Sequence, residues 1–153
     1  MDWRIETPLG DLLLSEDGAA IRSLRFAKAG EGAALPTPRD GLSKAAERWL
    51  NAYFTGEAPR DRLPLAPAGT AFQRRVWQAA GELPYGETRS YGALARQLGC
   101  GSARAVGAAL GKNPIWILIP CHRVVGADGA LTGYAGGLEK KAAFLKLEKK
   151  RSL

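Results

Sequence analysis

Apolar and polar positions alternate through the first 26 residues, which is the period of a β-strand. Apolar residues recur within 3–5, 12–14 and 21–26. Turn signals lie between these runs, one at residues 7–10 and one at Asp17-Gly18. The pattern predicts a small sheet of short strands joined by hairpins.

From Arg39 to Phe54 the apolar positions take helical spacing, after an exposed loop rich in Ala, Gly and Pro. The predicted helix face consists of Leu42, Ala46, Trp49, Leu50 and Phe54. Residues 57–69 contain three prolines and little periodicity, which predicts a linker. We therefore predict an N-terminal scaffold domain over residues 1–66 and a second domain over residues 67–153.

The second domain has the pattern of successive helices. One helix face is predicted to consist of Phe72, Val76, Ala79 and Ala80. After a turn at residues 83–86, Ser90 is the expected N-cap of a helix over 91–98, and Ser102 that of a helix over 103–111. Two short helices joined by a glycine turn are typical of helix-turn-helix proteins, and also of helical hairpins that do not bind DNA.

One face of the second short helix carries a single cation among small residues. Arg104 is followed on that face by Gly107, Ala108 and Gly111. A helix that reads base edges would present several long polar side chains. The pattern favours close approach to a groove with little reading of sequence; the alternative is tight packing against another helix.

The composition narrows the class of protein. The chain of 153 residues is 46% hydrophobic, enough for a packed core, and its net charge of +7 favours a polyanionic partner, either nucleic acid or a membrane surface.

No apolar run approaches the roughly 18 residues of a membrane span, and the N-terminus lacks a secretory pattern. Two cysteines and one histidine are too few for a disulfide framework or an all-protein zinc site. We expect free thiols, a cytoplasmic location, and neither metal nor cofactor.

The candidate chemistry lies at Cys121-His122, where the single histidine adjoins one of the two cysteines. A thiol attacks only as the thiolate, and a neighbouring imidazole can take its proton. The apolar run Ile115–Ile119 places this pair at the end of a buried segment, ahead of a turn at residues 126–129. The alternative is a buried structural cysteine beside a chance histidine.

The last predicted helix, Leu138 to Lys150, brings a carboxylate into its apolar arc. That arc consists of Leu138, Ala142, Phe144 and Leu145. By helical angle Glu148 falls within it, and a partly buried carboxylate needs a partner. His122 is one candidate; a glutamate at the rim, paired with Lys141, is the alternative.

Motif order and spacing over about residues 69–150 resemble the O6-alkylguanine-DNA alkyltransferases. The matching stretches are Gly69–Gln73, Val76-Trp77, Pro84–Thr88, Ser90-Tyr91, Arg104–Gly107, Asn113-Pro114, Ile119–Val124 and Gly133–Leu138. The run from Pro120 to Val124 is the most specific of these. Residues 7–10 and 53–56 resemble the family's N-terminal domain more weakly.

The resemblance implies an α/β (α+β) fold, with a small ribonuclease-H-like N-terminal sheet domain and a C-terminal winged-helix-like helix-turn-helix domain. It also implies repair of double-stranded DNA containing O6-alkylguanine by irreversible transfer of the alkyl group to Cys121, with O4-alkylthymine as a further substrate. The expected protein acts once, as a monomer; cooperative binding along DNA is left open.

The resemblance also assigns catalytic roles. Cys121 is the expected nucleophile, His122 takes its proton through a water, and Glu148 orients the imidazole. Asn113 would brace the turn between the recognition helix and an active-site strand. Tyr91 would press on the rotated phosphate and protonate the leaving guanine at N3.

The remaining expected roles concern DNA and the pocket. Arg104 would fill the gap left when the target base leaves the stack. The other expected DNA-binding residues are Tyr91, Gln73, Gly92, Ser102, Ala103 and Gly107. The expected pocket residues are Trp116, Val124, Tyr134, Ala135 and Lys141. Trp116 stands where relatives often carry a smaller residue, so we expect it to narrow the pocket.

Three other functions compete with alkyl transfer. A non-catalytic alkyltransferase-like protein, which only binds the lesion, would replace Cys121, usually by tryptophan. A helix-turn-helix regulator would present a dimer interface and long base-reading side chains. A thiol hydrolase would turn over repeatedly and would not need Arg104.

Overall fold

The computed structural model describes residues 1–127, 129 and 137–151, and it divides into two compact units, Met1–Ala68 and Gly69–Leu153. The strands are β1 (Asp2–Thr7), β2 (Gly10–Glu16), β3 (Ile21–Phe26), β4 (Arg89–Ser90) and β5 (Val124–Val125). The helices are α1 (Gly41–Phe54), α2 (Ala71–Gly81), α3 (Tyr91–Gln97), α4 (Ala103–Gly111) and α5 (Leu138–Arg151), with a 3₁₀ turn at Cys121–Arg123. The architecture is mixed α/β, with a three-stranded sheet in the first unit and a two-stranded sheet in the second.

The N-terminal unit is an antiparallel sheet in the order β1-β2-β3, which confirms the predicted hairpins. Strand alternation buries one face of this sheet, and α1 packs against β1 and β2. The buried residues of the sheet include Ile5, Leu12, Leu14, Ile21 and Leu24. The carboxylate of Asp17 accepts hydrogen bonds from the N–H groups of Ala19 and Ala20, both at 2.9 Å, and so closes the second hairpin.

Two predictions for this unit were wrong in detail. Helix α1 begins at Gly41 instead of Arg39, and its buried residues are Ser43, Ala46, Leu50 and Tyr53. Leu42, Trp49 and Phe54, expected on the buried face, are only half-buried, because the core-facing stripe is centred on Tyr53 and Trp49 stacks against that ring.

The predicted linker is part of the N-terminal unit. Ile21 donates a backbone hydrogen bond to Pro64 and accepts one from Ala66, both at 2.8 Å. Leu65 thereby forms an isolated parallel bridge with Ile21. The segment pairs with β3 because the outer edge of that strand would otherwise present unpaired backbone groups.

In the C-terminal unit, α2, α3 and α4 pack together. The indole of Trp77 on α2 donates to the carbonyl of Ala109 on α4 at 2.8 Å. Gly69 precedes α2 where a Cβ atom would approach the Trp77 ring to 2.5 Å, so only glycine fits there. Ser90 and Ser102 cap α3 and α4 as predicted, and each hydroxyl accepts a backbone N–H.

Strands β4 and β5 pair in parallel, with Arg89 opposite Val124 and Ser90 opposite Val125. This pairing places the first residue of α3 beside the segment that contains Cys121. Helix α5 also packs against the 3₁₀ turn at Cys121–Arg123. Within the described residues, no helix is long and apolar enough to cross a membrane.

The expected active-site strand after Asn113 is a turn. Leu118 donates a hydrogen bond to Trp116 at 2.7 Å across Ile117, whose φ is +70°. Helix α5 also differs from expectation. Leu138, predicted to lie in its apolar arc, is 49% exposed, and Ala142 and Leu145 are only half-buried. The buried residues are Lys141, Phe144 and Glu148, because Phe144 and Glu148 contact the 3₁₀ turn and Lys141 binds Val124 and Tyr91.

Thr70 offers a clean test of how α2 begins. Its hydroxyl accepts from the N–H of Gln73 at 3.1 Å, and its own N–H donates to the Gln73 side chain at 2.9 Å. Because Thr70 is exposed, Thr70→Ala removes the cap without leaving a cavity. We expect a loss of about 1 kcal/mol in the free energy of unfolding, measured in urea, with Thr70→Ser close to the parent. Equal stability of the alanine variant would contradict this account.

Candidate active site

Cys121 begins the 3₁₀ turn as a buried, free thiol. Asn113 braces the chain that leads into it. The amide of Asn113 donates to the carbonyl of Ile119 at 3.1 Å, and its oxygen accepts from the N–H of Ile115 at 2.9 Å. The Asn113 side chain thus makes the hydrogen bonds that a neighbouring strand would otherwise make, and it fixes the position of the backbone that leads into Cys121.

His122 and Glu148 form a buried pair. The imidazole Nε2 lies 2.5 Å from Glu148 Oε2, and the carboxylate is 1% exposed. Glu148 Oε1 accepts from Arg123 Nε at 2.7 Å and from the N–H of Gly86 at 3.2 Å. Glu148 is therefore not the rim glutamate of the alternative hypothesis, and its hydrogen bonds compensate for its burial.

Burial and neighbouring charges set the protonation states of this pair. Burial lowers the pKa of His122, and the positive charges of Arg123 and Lys141 lower it further, against the opposing effect of Glu148. Burial by itself would raise the pKa of Glu148, but the hydrogen bonds and charges of His122 and Arg123 outweigh it and lower that pKa to about 2. At neutral pH the pair is a neutral imidazole beside a carboxylate.

Burial raises the pKa of the Cys121 thiol to about 12, against the lowering effects of a hydrogen bond from Asn113 and the charge of Lys141. The resting group is therefore a thiol, and it needs a base. Because an ionised carboxylate only accepts hydrogen bonds, the neutral imidazole carries its proton on Nε2, and Nδ1 is its basic atom. Such an arrangement can form a thiolate by proton transfer and can stabilise the resulting imidazolium through Glu148.

Lys141 links the thiol region to α3. Its buried ammonium donates to the carbonyl of Val124 at 2.7 Å and to the hydroxyl of Tyr91 at 3.2 Å. The ammonium also lies 5.5 Å from the centre of the Tyr91 ring. The Tyr91 hydroxyl therefore accepts a hydrogen bond from a cation that also binds the segment after Cys121.

The predicted DNA-binding residues lie at or near the first turns of three helices. Arg104 is the exposed second residue of α4 and follows the exposed Ala103 and the capping Ser102 in sequence. Gly107 lies against the Tyr91 ring, where a Cβ atom would be 3.8 Å away, so α4 and Tyr91 are close. Gly92 is the second residue of α3.

Gln73 and the pocket residues have structural contacts as well. The side-chain oxygen of Gln73 is engaged in the capping box of α2. The Trp116 indole donates to the carbonyl of Asn113 at 3.0 Å, which fixes that ring. Val124 is buried, and its carbonyl already binds Lys141. Tyr134 and Ala135 lie outside the described residues.

Two participants in the site were not assigned a role from the sequence. Arg123 belongs to the specific Pro120–Val124 motif, but nothing in the pattern tells a buried arginine from an exposed one. Gly86 lies in a predicted turn and adopts φ +84°, which directs its N–H to Glu148. The glycine itself was the only available signal.

Comparison with known proteins agrees with this geometry. The model of the 6-O-methylguanine DNA methyltransferase, DNA binding domain, matches residues 71–150. The chain belongs to this family. A methylated-DNA--protein-cysteine methyltransferase from Mycobacterium bovis is 48% identical over 151 residues, 97% of this chain and 92% of the relative.

Another relative of the same name, from the archaeon Methanosarcina acetivorans, is 46% identical over 147 residues, 94% of each chain. Among solved structures, Mycobacterium tuberculosis OGT in complex with DNA superimposes with a TM-score of 0.87 at 48% identity. That comparison covers 98% of this chain and 93% of the other. The similarity to these relatives therefore extends over both units.

The buried pair predicts loss of stability in acid. Both groups have lowered pKa values when folded, so the unfolded chain binds more protons than the folded one, first at His122 and then at Glu148. The free energy of unfolding should fall as the pH drops below about 6.5, with Glu148 alone contributing about 3 kcal/mol of loss between pH 5 and pH 2. Urea unfolding at several pH values measures this.

The control removes two carboxylates away from this pair, the exposed Asp17 and the half-buried Glu31, whose pKa values are also lowered to about 2. Asp17 is held by backbone N–H groups and Arg22, and Glu31 by Arg25. An Asp17→Asn, Glu31→Gln variant should keep most of the acid sensitivity. If that sensitivity disappears in this variant, its source is the surface and not the buried pair.

Proposed function

We propose that this protein repairs DNA by direct reversal, transferring a methyl or other alkyl group from O6 of guanine in duplex DNA to Cys121. The observation that carries the proposal is a buried free thiol followed at once by an imidazole that is held by a carboxylate. A non-catalytic lesion-binding relative would not need this set. We also propose O4-alkylthymine as a further substrate.

In the proposed reaction, His122 takes the thiol proton through a water and Glu148 stabilises the imidazolium. The sulfur of Cys121 then attacks the alkyl carbon; a carbon–sulfur bond forms, and the bond from that carbon to O6 breaks. The electron pair stays with the guanine, which takes a proton at N3 from Tyr91. The ammonium of Lys141 donates a hydrogen bond to the phenol oxygen at 3.2 Å and so holds Tyr91 in place.

The proposed DNA contacts follow from the short helices. The base must leave the stack because its O6 atom lies inside the duplex, and Arg104 on α4 would fill the gap. Gly107 on the same helix lies beside the Tyr91 ring. Backbone N–H groups at the first turns of α2, α3 and α4 suit phosphates. The residues proposed for these contacts are Gln73, Gly92, Ser102 and Ala103.

The proposed pocket lies around Cys121. The carbonyl oxygens of Cys121 and Val124 already accept a backbone N–H and the Lys141 ammonium, respectively, and each keeps a second lone pair for the exocyclic amine of guanine. Trp116 would narrow the pocket. Tyr134 and Ala135 are proposed as its remaining wall.

The finer architecture is part of the proposal. Residues 1–66 would be a ribonuclease-H-like scaffold domain and residues 67–153 a winged-helix-like DNA-binding domain. The protein would act as a monomer in the reducing cytoplasm, which suits its two free cysteines.

The reaction should be stoichiometric, because a thioether has no good leaving group. Incubation with excess O6-methylguanine DNA should give a burst equal to the protein concentration and then no further product. Intact-mass and peptide analysis should locate one added methyl group on Cys121. Cys121→Ser should keep duplex binding and lose transfer, since a hydroxyl stays protonated. Continued turnover would instead support a hydrolase.

Arg104→Ala should separate duplex repair from chemistry. Only duplex DNA contains a gap to fill, so the transfer rate on duplex should fall by roughly tenfold or more, which corresponds to about 1.4 kcal/mol. Reaction with the free base O6-benzylguanine should change little. Lys112→Ala, an exposed cation at the other end of α4, is the matched control. Equal losses on both substrates would show that Arg104 shapes the pocket.

A further inference from the structure

Arg123 is a buried cation that the proposed chemistry does not use. Its Nε donates to Glu148 Oε1 at 2.7 Å, and its Nη1 donates to the carbonyl of Leu83 at 2.8 Å. The guanidinium lies 5.7 Å from the centre of the Tyr85 ring. Arginine is seldom buried unless it is paired, so this position is specified by its partners.

Arg123 and His122 each contact a different oxygen of the Glu148 carboxylate. Glu148 Oε2 meets His122, and Oε1 meets Arg123. Arginine stays protonated in proteins, so it neutralises Glu148 whatever the state of the imidazole. A carboxylate paired with His122 alone would instead favour the imidazolium, which cannot accept a proton.

We propose that Arg123 is a positioning residue that keeps His122 neutral and proton-accepting by neutralising Glu148 and fixing its orientation. The inference rests on the proposed function only in naming Cys121 as the proton donor. An arginine suits this role because its fork makes two bonds in different directions, one to α5 and one to the turn at residues 83–86. A lysine would supply the charge without the second bond.

The other charged and titratable groups near His122 also bear on its protonation. From α5 these are Glu148, which favours the imidazolium, and Lys141, which disfavours it. On its own segment, Arg123 acts in the same direction as Lys141, and Cys121 is the neighbouring thiol. Phe144 packs its ring 5.1 Å from the imidazole and adds no charge. Arg123 differs from Lys141 in bonding directly to the carboxylate that His122 uses.

The test uses the fact that His122 is the only histidine of the chain. Its imidazole signals in an isotope-labelled protein therefore need no assignment, and their titration by NMR follows this site without DNA or any transfer reaction. In Arg123→Gln, which keeps a hydrogen-bond donor but no charge, the titration midpoint should move upward by about 1 pH unit or more. The acid limb of the transfer rate on O6-benzylguanine should move with it.

Arg123→Lys keeps the charge, so its midpoint should stay near that of the parent even if its thermal stability is lower. Lys146→Met removes a positive charge from the exposed side of α5 and should leave the midpoint unchanged. An unchanged midpoint in folded Arg123→Gln would overturn the proposal. If that variant does not fold, a raised midpoint in Arg123→Lys would overturn it equally. Failure of methyl transfer in the parent would refute the proposed function and leave this titration interpretable.

Discussion

The C-terminal unit depends on a single carboxylate placed where water cannot reach it. Glu148 is bonded to groups from two other segments of the chain: a backbone N–H of the turn at residues 83–86, and two side chains of the 3₁₀ turn. A buried charge without partners would be strongly destabilising. The two segments must therefore meet at α5, and the same requirement holds the 3₁₀ turn, with Cys121 and His122, in place.

Local rules predicted the elements well. The hairpin at Asp17-Gly18 and the N-caps at Ser90 and Ser102 depend on side chains that bond to backbone groups within a few residues, so the sequence carries them directly. Glu148 was also recognisable, because helical angle alone placed a carboxylate in an apolar arc. Its partner had to be chosen between His122 and Lys141; spacing alone favoured Lys141, whereas the structure pairs Glu148 with His122.

Features set by contacts distant in sequence were not predictable in this way. Residues 57–69 have the composition of a linker, but residues 64–66 within them form backbone hydrogen bonds with Ile21 on the edge strand β3. The run Ile115–Ile119 has the composition of a strand, yet the Asn113 side chain takes the hydrogen bonds that a neighbouring strand would have supplied. Arg123 shows the same limit, because its burial depends on a carbonyl forty residues earlier in the chain.

The turn at Ile117 makes the segment beside Trp116 rigid. A β-branched residue at φ +70° is costly and persists only where its surroundings leave no alternative. Here the adjoining indole of Trp116 is tied to the backbone of Asn113, and Ile117 itself is buried. A segment held in this way does not move to accommodate a larger group beside it. If Trp116 lines the proposed pocket, the range of alkyl groups is set by geometric exclusion, and widening that range requires a smaller residue at position 116 and not a more flexible loop.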